Sequence, residues 1–118
     1  MAHIGYARVS TLDQDPALQL DALATAGCAK VFEDRASGVR TDRIGLKAAL
    51  DYVRDGDVLV TWKLDRLGRS LPHLIETVAA LEKRGVGFRS ITEAIDTTTS
   101  GGRLVFHLFG CSFEQTVR

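Results

Sequence analysis

The segment Asp57-Val-Leu-Val-Thr-Trp62 is apolar on consecutive positions, not on alternate ones. A strand of that kind is buried on both faces, the condition of a strand inside a mainly parallel sheet with helices above and below. Its surroundings agree. Residues 3–8 read as a first strand, 29–33 as a second, Asp57 to Trp62 as a third and Val86 to Ile91 as a fourth, with helix-length amphipathic segments in between. In the first of these segments Asp15 stands as N-cap, Pro16 fits the opening turn and Gly27 closes, with Leu20, Leu23 and Ala24 facing inward. A second helix is expected from about Arg43 to Arg54, capped by Thr41 or Asp42, with Leu46, Ala49, Leu50 and Val53 inward. Ser70 caps a third that ends at Arg84 and Gly85. Asp34 to Asp42 and Leu64 to Ser70 read as loops, and Thr97 to Gly102 as a polar break. The expected fold is an α/β, three-layer domain with a mainly parallel four- to five-stranded sheet flanked by helices.

Beyond the break, Arg103 to Arg118 reads as a helix. Leu104, Val105, Phe106, Leu108, Phe109, Cys111, Phe113 and Val117 make it apolar over more than one stripe. A helix apolar nearly all round must be covered on several sides. It packs either across its own sheet or against a second subunit, as a dimerisation helix.

A length of 118 residues suits one domain. No apolar run approaches the roughly 20 residues that span a bilayer, and Met1 to Ser10 lacks the features of a secretory signal. The expected location is a reducing cytoplasm. Cys28 and Cys111 are isolated and read as small buried hydrophobes, while His3, His73 and His107 form no ligand set, so no metal is expected. Formal net charge is +0, which does not itself suggest nucleic acid. Of the 15 basic residues, however, 11 are Arg, the side chain suited to bidentate phosphate contacts.

Two places carry residues suited to chemistry. In Tyr6-Ala-Arg-Val-Ser10-Thr-Leu-Asp-Gln14 a strand ends at Arg8 and Ser10 and hands over to a helix. Ligands of open α/β sheets sit at the carboxyl ends of strands, and a serine there becomes a nucleophile if positive charge stabilises its alkoxide. Arg8, two residues away, shares its strand face. The plainer alternative is that Ser10 only turns the chain. In Trp62-Lys-Leu-Asp-Arg-Leu-Gly-Arg-Ser70, Lys63, Arg66 and Arg69 follow the buried third strand. Forked guanidinium groups there can stabilise the charge of a phosphoryl transition state without a metal, and Asp65 can orient one of them or exchange a proton. A solvated charged loop has the same spacing. A third, weaker cluster, Ser37-Gly-Val-Arg40-Thr-Asp-Arg43, is a basic loop able to close over a phosphate.

Together these stretches resemble the small serine recombinases, the DNA invertase and resolvase branch. The resemblance is carried by Ile4 to Gln14, Leu18-Gln19, Phe32-Glu-Asp34 with Ser37-Gly38, Thr41-Asp-Arg43 with Gly45-Leu-Lys47, Val60 to Ser70, Phe88-Arg-Ser90, Ile95-Asp-Thr97 and Gly102-Arg103. It implies that Ser10 attacks a DNA phosphodiester, leaving a 5′-phosphoserine link and a free 3′-hydroxyl. It further implies that Arg8, Arg66 and Arg69 hold the scissile phosphate, while Arg43, Gln14, Gln19, Ser37 and Asp65 complete the site. Arg40, Lys63 and Arg103 join the expected phosphate contacts. The implied partners are double-stranded DNA and further copies of the chain, as dimers that form a tetramer in synapsis, with no cofactor. Recombination would proceed by inversion or resolution, as in mobile elements.

Two departures from the family pattern stand out. Ile44 occupies a position where relatives often have Pro. After Gly110 the text runs Cys-Ser-Phe-Glu-Gln-Thr-Val-Arg118 in place of the family's longer helix. Aligning Phe113-Glu-Gln115 with the family's Phe-Glu-Arg/Gln needs a two-residue deletion, which at about 100° per residue rotates the remainder by roughly 200°. The expected organisation is therefore one catalytic domain, residues 1–118, with the dimerisation helix starting near 103 and no helix-turn-helix domain. An alternative from the same tail is a catalytically incompetent remnant that pairs with and regulates intact, full-length recombinases. A receiver-like signalling domain has a similar layout but needs an acidic Mg²⁺ cluster that this sequence lacks.

Overall fold

The computed structural model describes residues 2–10, 16–36, 44–63, 71–102 and 104. Within them the order is β1 (His3–Ser10), α1 (Pro16–Thr25), β2 (Lys30–Ala36), α2 (Ile44–Tyr52), β3 (Val58–Thr61), α3 (Leu71–Lys83), β4 (Gly87–Ser90) and β5 (Ile95–Asp96). The strands form one sheet in the order β2-β1-β3-β4-β5. The first four are parallel, and β5 returns antiparallel to β4 through a turn in which Ala94 takes a φ of 56°.

Burial separates the domain into three layers. On one face, Ile4 and Tyr6 of β1, Leu59 of β3 and Phe88 of β4 pack with Leu46 and Ala49 of α2 and with Leu74, Val78 and Leu81 of α3. On the other, Ala7, Val58 and Val60 pack with Leu23 of α1, with Leu20, Ala26 and Cys28 at the margin. All four residues of β3 are buried, as its unbroken apolar run requires. Each large apolar side chain so covered contributes roughly 1.5–3 kcal/mol.

Several boundaries differ from the sequence expectation. Both β1 and β2 run further, to Ser10 and Ala36, because they pair with each other over seven residues in parallel register. In α1, Ala24 is exposed and the buried positions are Gln19 and Leu23. A polar residue takes the inner stripe there, for a reason given below. Val53 is buried but lies just past the end of α2. Helix begins by residue 100, inside the expected polar break. The expected helix of 103–118 otherwise falls outside the described residues, as do Cys111 and the caps Asp15, Thr41, Asp42 and Ser70. Among the described residues no helix is long and apolar enough to cross a membrane.

The two ends of α2 are held from outside the helix. At its carboxyl end the Arg84 guanidinium donates to the carbonyls of Leu50 (2.7 Å) and Val53 (2.8 Å), satisfying groups the last turn leaves open. At its amino end Gly45 passes so close to β2 that a Cβ there would lie 2.6 Å from the Glu33 carbonyl oxygen.

Cys28 is a half-buried free thiol, and its pKa is raised by desolvation against a smaller opposing pull from Arg89.

Two outcomes follow. Gly45→Ala ordinarily strengthens a helix, but here the methyl meets backbone, and the variant should lose about 1–3 kcal/mol in urea unfolding. Alkylation of Cys28 by iodoacetamide should be slow at neutral pH, and its rate should still be rising at a pH where an exposed thiol has levelled off.

Candidate active site

In this sheet the chain passes from β1 to β2 on one side and returns to β3 on the other. The order therefore reverses at β1, and the carboxyl ends of β1 and β3 flank the crevice where ligands of such sheets bind. Length accentuates it. β3 accompanies β1 only from His3↔Val58 to Tyr6↔Thr61, whereas β1 continues to Ser10 beside β2 alone. The last four residues of β1 thus project past β3 at the end where Arg8 and Ser10 stand.

Projecting backbone needs partners. Those of Arg8 come from a side chain: its N–H donates to Gln19 Oε1 (3.0 Å), and Gln19 Nε2 donates to its carbonyl oxygen (3.1 Å). The amide of Gln19 is built into α1 and only 1% exposed. It acts as one residue of a missing strand and fixes the backbone from which the Arg8 side chain leaves. This is why a polar residue lies on the inner face of α1.

Across β1, Asp34 of β2 is the register partner of Arg8. Its carboxylate accepts from Gly45 N–H (2.7 Å), Leu46 N–H (3.0 Å) and the Tyr6 hydroxyl (2.8 Å). Asp34 therefore caps α2 from a neighbouring strand, and α2 carries no acidic residue in its own first turn.

On the other flank, β3 leads through Trp62 to Lys63. The carbonyl of Thr61 accepts from Ile91 N–H (3.0 Å) and that of Trp62 from Thr92 N–H (2.9 Å) and the Thr92 hydroxyl, so the exit of β3 is tied to the turn after β4. Lys63 Nζ lies 4.6 Å from the centre of the Trp62 ring, a cation–π contact that holds its charge at this end of the sheet.

Of the expected site residues, the structure brings Arg8, Ser10 (by its backbone), Gln19 and Lys63 to one end of the sheet. Gln14, Ser37, Arg40, Arg43, Asp65, Arg66, Arg69 and Arg103 lie outside the described residues. The roles of Asp34 and Tyr6 were not anticipated from the sequence. The available signal was an acidic residue ahead of a helix whose first turn has no acid.

Residues 3–116 match the family model "Resolvase, N terminal domain". The chain belongs to the resolvase family. It is 57% identical over 112 residues to the serine recombinase gin of Escherichia phage Mu, covering 95% of this chain and 58% of that protein. Against the DNA-invertase hin of Salmonella typhimurium the identity is 52% over 115 residues, covering 98% and 60%. The chain thus spans less than two thirds of the length of these family members. Among solved structures, the N-terminal catalytic domain of TP901-1 integrase superposes with a TM-score of 0.77 at 25% identity, covering 100% of this chain and 99% of that one.

Gln19→Leu keeps the side chain's bulk but strips Arg8 of both backbone partners. The variant should lose about 2 kcal/mol of unfolding free energy, and the Arg8 amide should exchange hydrogen faster in NMR-detected exchange while amides of β3 do not.

Proposed function

We propose that the chain is the catalytic domain of a site-specific DNA recombinase that cuts and rejoins double-stranded DNA through a serine-linked intermediate. The observation that carries the reading is the position of Ser10 and Arg8 on the part of β1 that outruns β3, at the reversal of strand order. Family membership over residues 3–116 supports it.

In this reading the Ser10 hydroxyl oxygen attacks the scissile phosphorus. The P–O3′ bond breaks, the 3′ oxygen leaves with a proton as a free hydroxyl, and the 5′ phosphate stays esterified to Ser10. Rejoining reverses these steps with the 3′-hydroxyl of another strand. The ester conserves the bond, so no cofactor is needed. Attack piles negative charge on the non-bridging oxygens, which guanidinium groups stabilise by charge-assisted, forked hydrogen bonds. Arg8, Arg66 and Arg69 take that role. Gln14, Ser37, Arg43 and Asp65 position the phosphate or those arginines, and Gln19 acts through the Arg8 backbone. Lys63, Arg40 and Arg103 add contacts along the DNA backbone.

Residues 1–118 form this one domain. The apolar segment from about 103 to 118 is the start of a dimerisation helix, and two DNA-bound dimers join as a tetramer in synapsis. Such an enzyme works in the cytoplasm, at the nucleoid.

The test joins the full chain to a DNA-binding module of known site and supplies a duplex with two such sites flanking a nicked spacer. The nick lets the cleaved strand diffuse away and traps the adduct. Denaturing gels should show a covalent protein–DNA band carrying a 5′-phosphate on Ser10, absent in Ser10→Ala and reduced at least a hundredfold in Arg8→Ala. A band of equal intensity in Ser10→Ala would exclude the serine mechanism.

A further inference from the structure

We infer that Asp34 is a positioning residue of this centre, acting by locking the N-terminus of α2 to the strand pair that carries Arg8. The inference rests on the recombinase reading above and assigns a role to a residue outside the catalytic set.

Three donors converge on one carboxylate. Oδ1 takes the Gly45 amide, and Oδ2 takes both the Leu46 amide and the hydroxyl of Tyr6. The Tyr6 side chain is fully buried in the sheet–helix core, so its hydroxyl is a fixed post. The two amides are the orphan donors of a helix start, whose partial positive charge favours an anion. Gly45 permits the approach, since any side chain would strike the Glu33 backbone and Asp34 itself. Strand β1, strand β2 and helix α2 are thus joined at a single group.

What Asp34 does not bind matters equally. It stands opposite Arg8 in register, where an uncommitted carboxylate would form a forked ion pair with the guanidinium. Three of the roughly four acceptor positions of a carboxylate are instead filled by Gly45, Leu46 and Tyr6. Among the described residues the Arg8 side chain has no ion-pair partner. The lock therefore does two things: it sets the helix against the sheet, and it keeps the neighbouring carboxylate occupied so that Arg8 remains open to an anionic phosphate.

The experiment measures the single-turnover rate of adduct formation on the nicked duplex, across DNA concentrations, with the full chain in the same fusion. Asp34→Ala should slow the saturated rate tenfold or more, the effect of small displacements at a reacting centre, while half-saturation shifts less than twofold. Asp34→Asn retains one acceptor oxygen and should recover part of the rate. Tyr6→Phe, which keeps the ring in the core, should slow it several-fold and serves if the alanine variant folds poorly. Hydrogen exchange should quicken at Gly45 and Leu46 in the Asp34 variants and stay unchanged in β3 and β4. Wild-type rates in Asp34→Ala and Tyr6→Phe would overturn the inference. So would a loss of rate matched by lost DNA binding and by faster exchange throughout the sheet, which marks general unfolding. A wild-type chain that forms no Ser10 adduct would instead sink the recombinase reading, and the assignment with it.

Discussion

A parallel strand that extends past its neighbour presents backbone donors and acceptors that neither sheet nor bulk solvent fully satisfies. Much of this domain can be read as a response to that condition on β1. On the β2 side the ladder continues to Ser10. Where β3 has ended, the Gln19 amide supplies the two bonds at Arg8. Since Gln19 belongs to α1, the placement of that helix and the rigidity of the strand tip are one constraint. The β1–β3 ladder stops at Tyr6 and Thr61, and the backbone of Arg8 is fixed because that interruption is repaired from the side.

The same economy of polar groups appears on the opposite flank. Asp34 completes the start of α2, anchors Tyr6 and stays clear of Arg8 within one set of three hydrogen bonds. A formal charge of +0 across the chain is compatible with phosphate chemistry when acidic groups near the site are already engaged. What a phosphate meets is the local arrangement of donors, and net charge says little about that.

The sheet was legible in the sequence because its signals are local. The unbroken apolar run of β3, Pro16 and Gly27 around α1, and Gly85 after α3 each act through their own backbone, and Gly27 and Gly85 take the positive φ values such stops use, 87° and 76°. The family motifs singled out Arg8, Ser10, Gln19 and Lys63, and these four come to one end of the sheet. Less legible were features that depend on pairing. The extent of β2 to Ala36 is imposed by β1, since Asp34-Arg-Ala reads locally as the start of a loop. The inward place of Gln19, at the expense of Ala24, follows from two backbone groups on another element, which no helical periodicity encodes. Asp34 as a distant cap is invisible for the same reason: a local rule looks for the cap immediately before the helix.

Helix α2 is gripped at both extremities, by the carboxylate of Asp34 at one and the guanidinium of Arg84 at the other. The two grips belong to different neighbours, a strand and the turn after α3, and each matches in sign the partial charge of the terminus it holds. A nine-residue rod pinned in this manner cannot slide along its axis without breaking bonds at one bearing or the other. Any force applied along it passes to the sheet without slack.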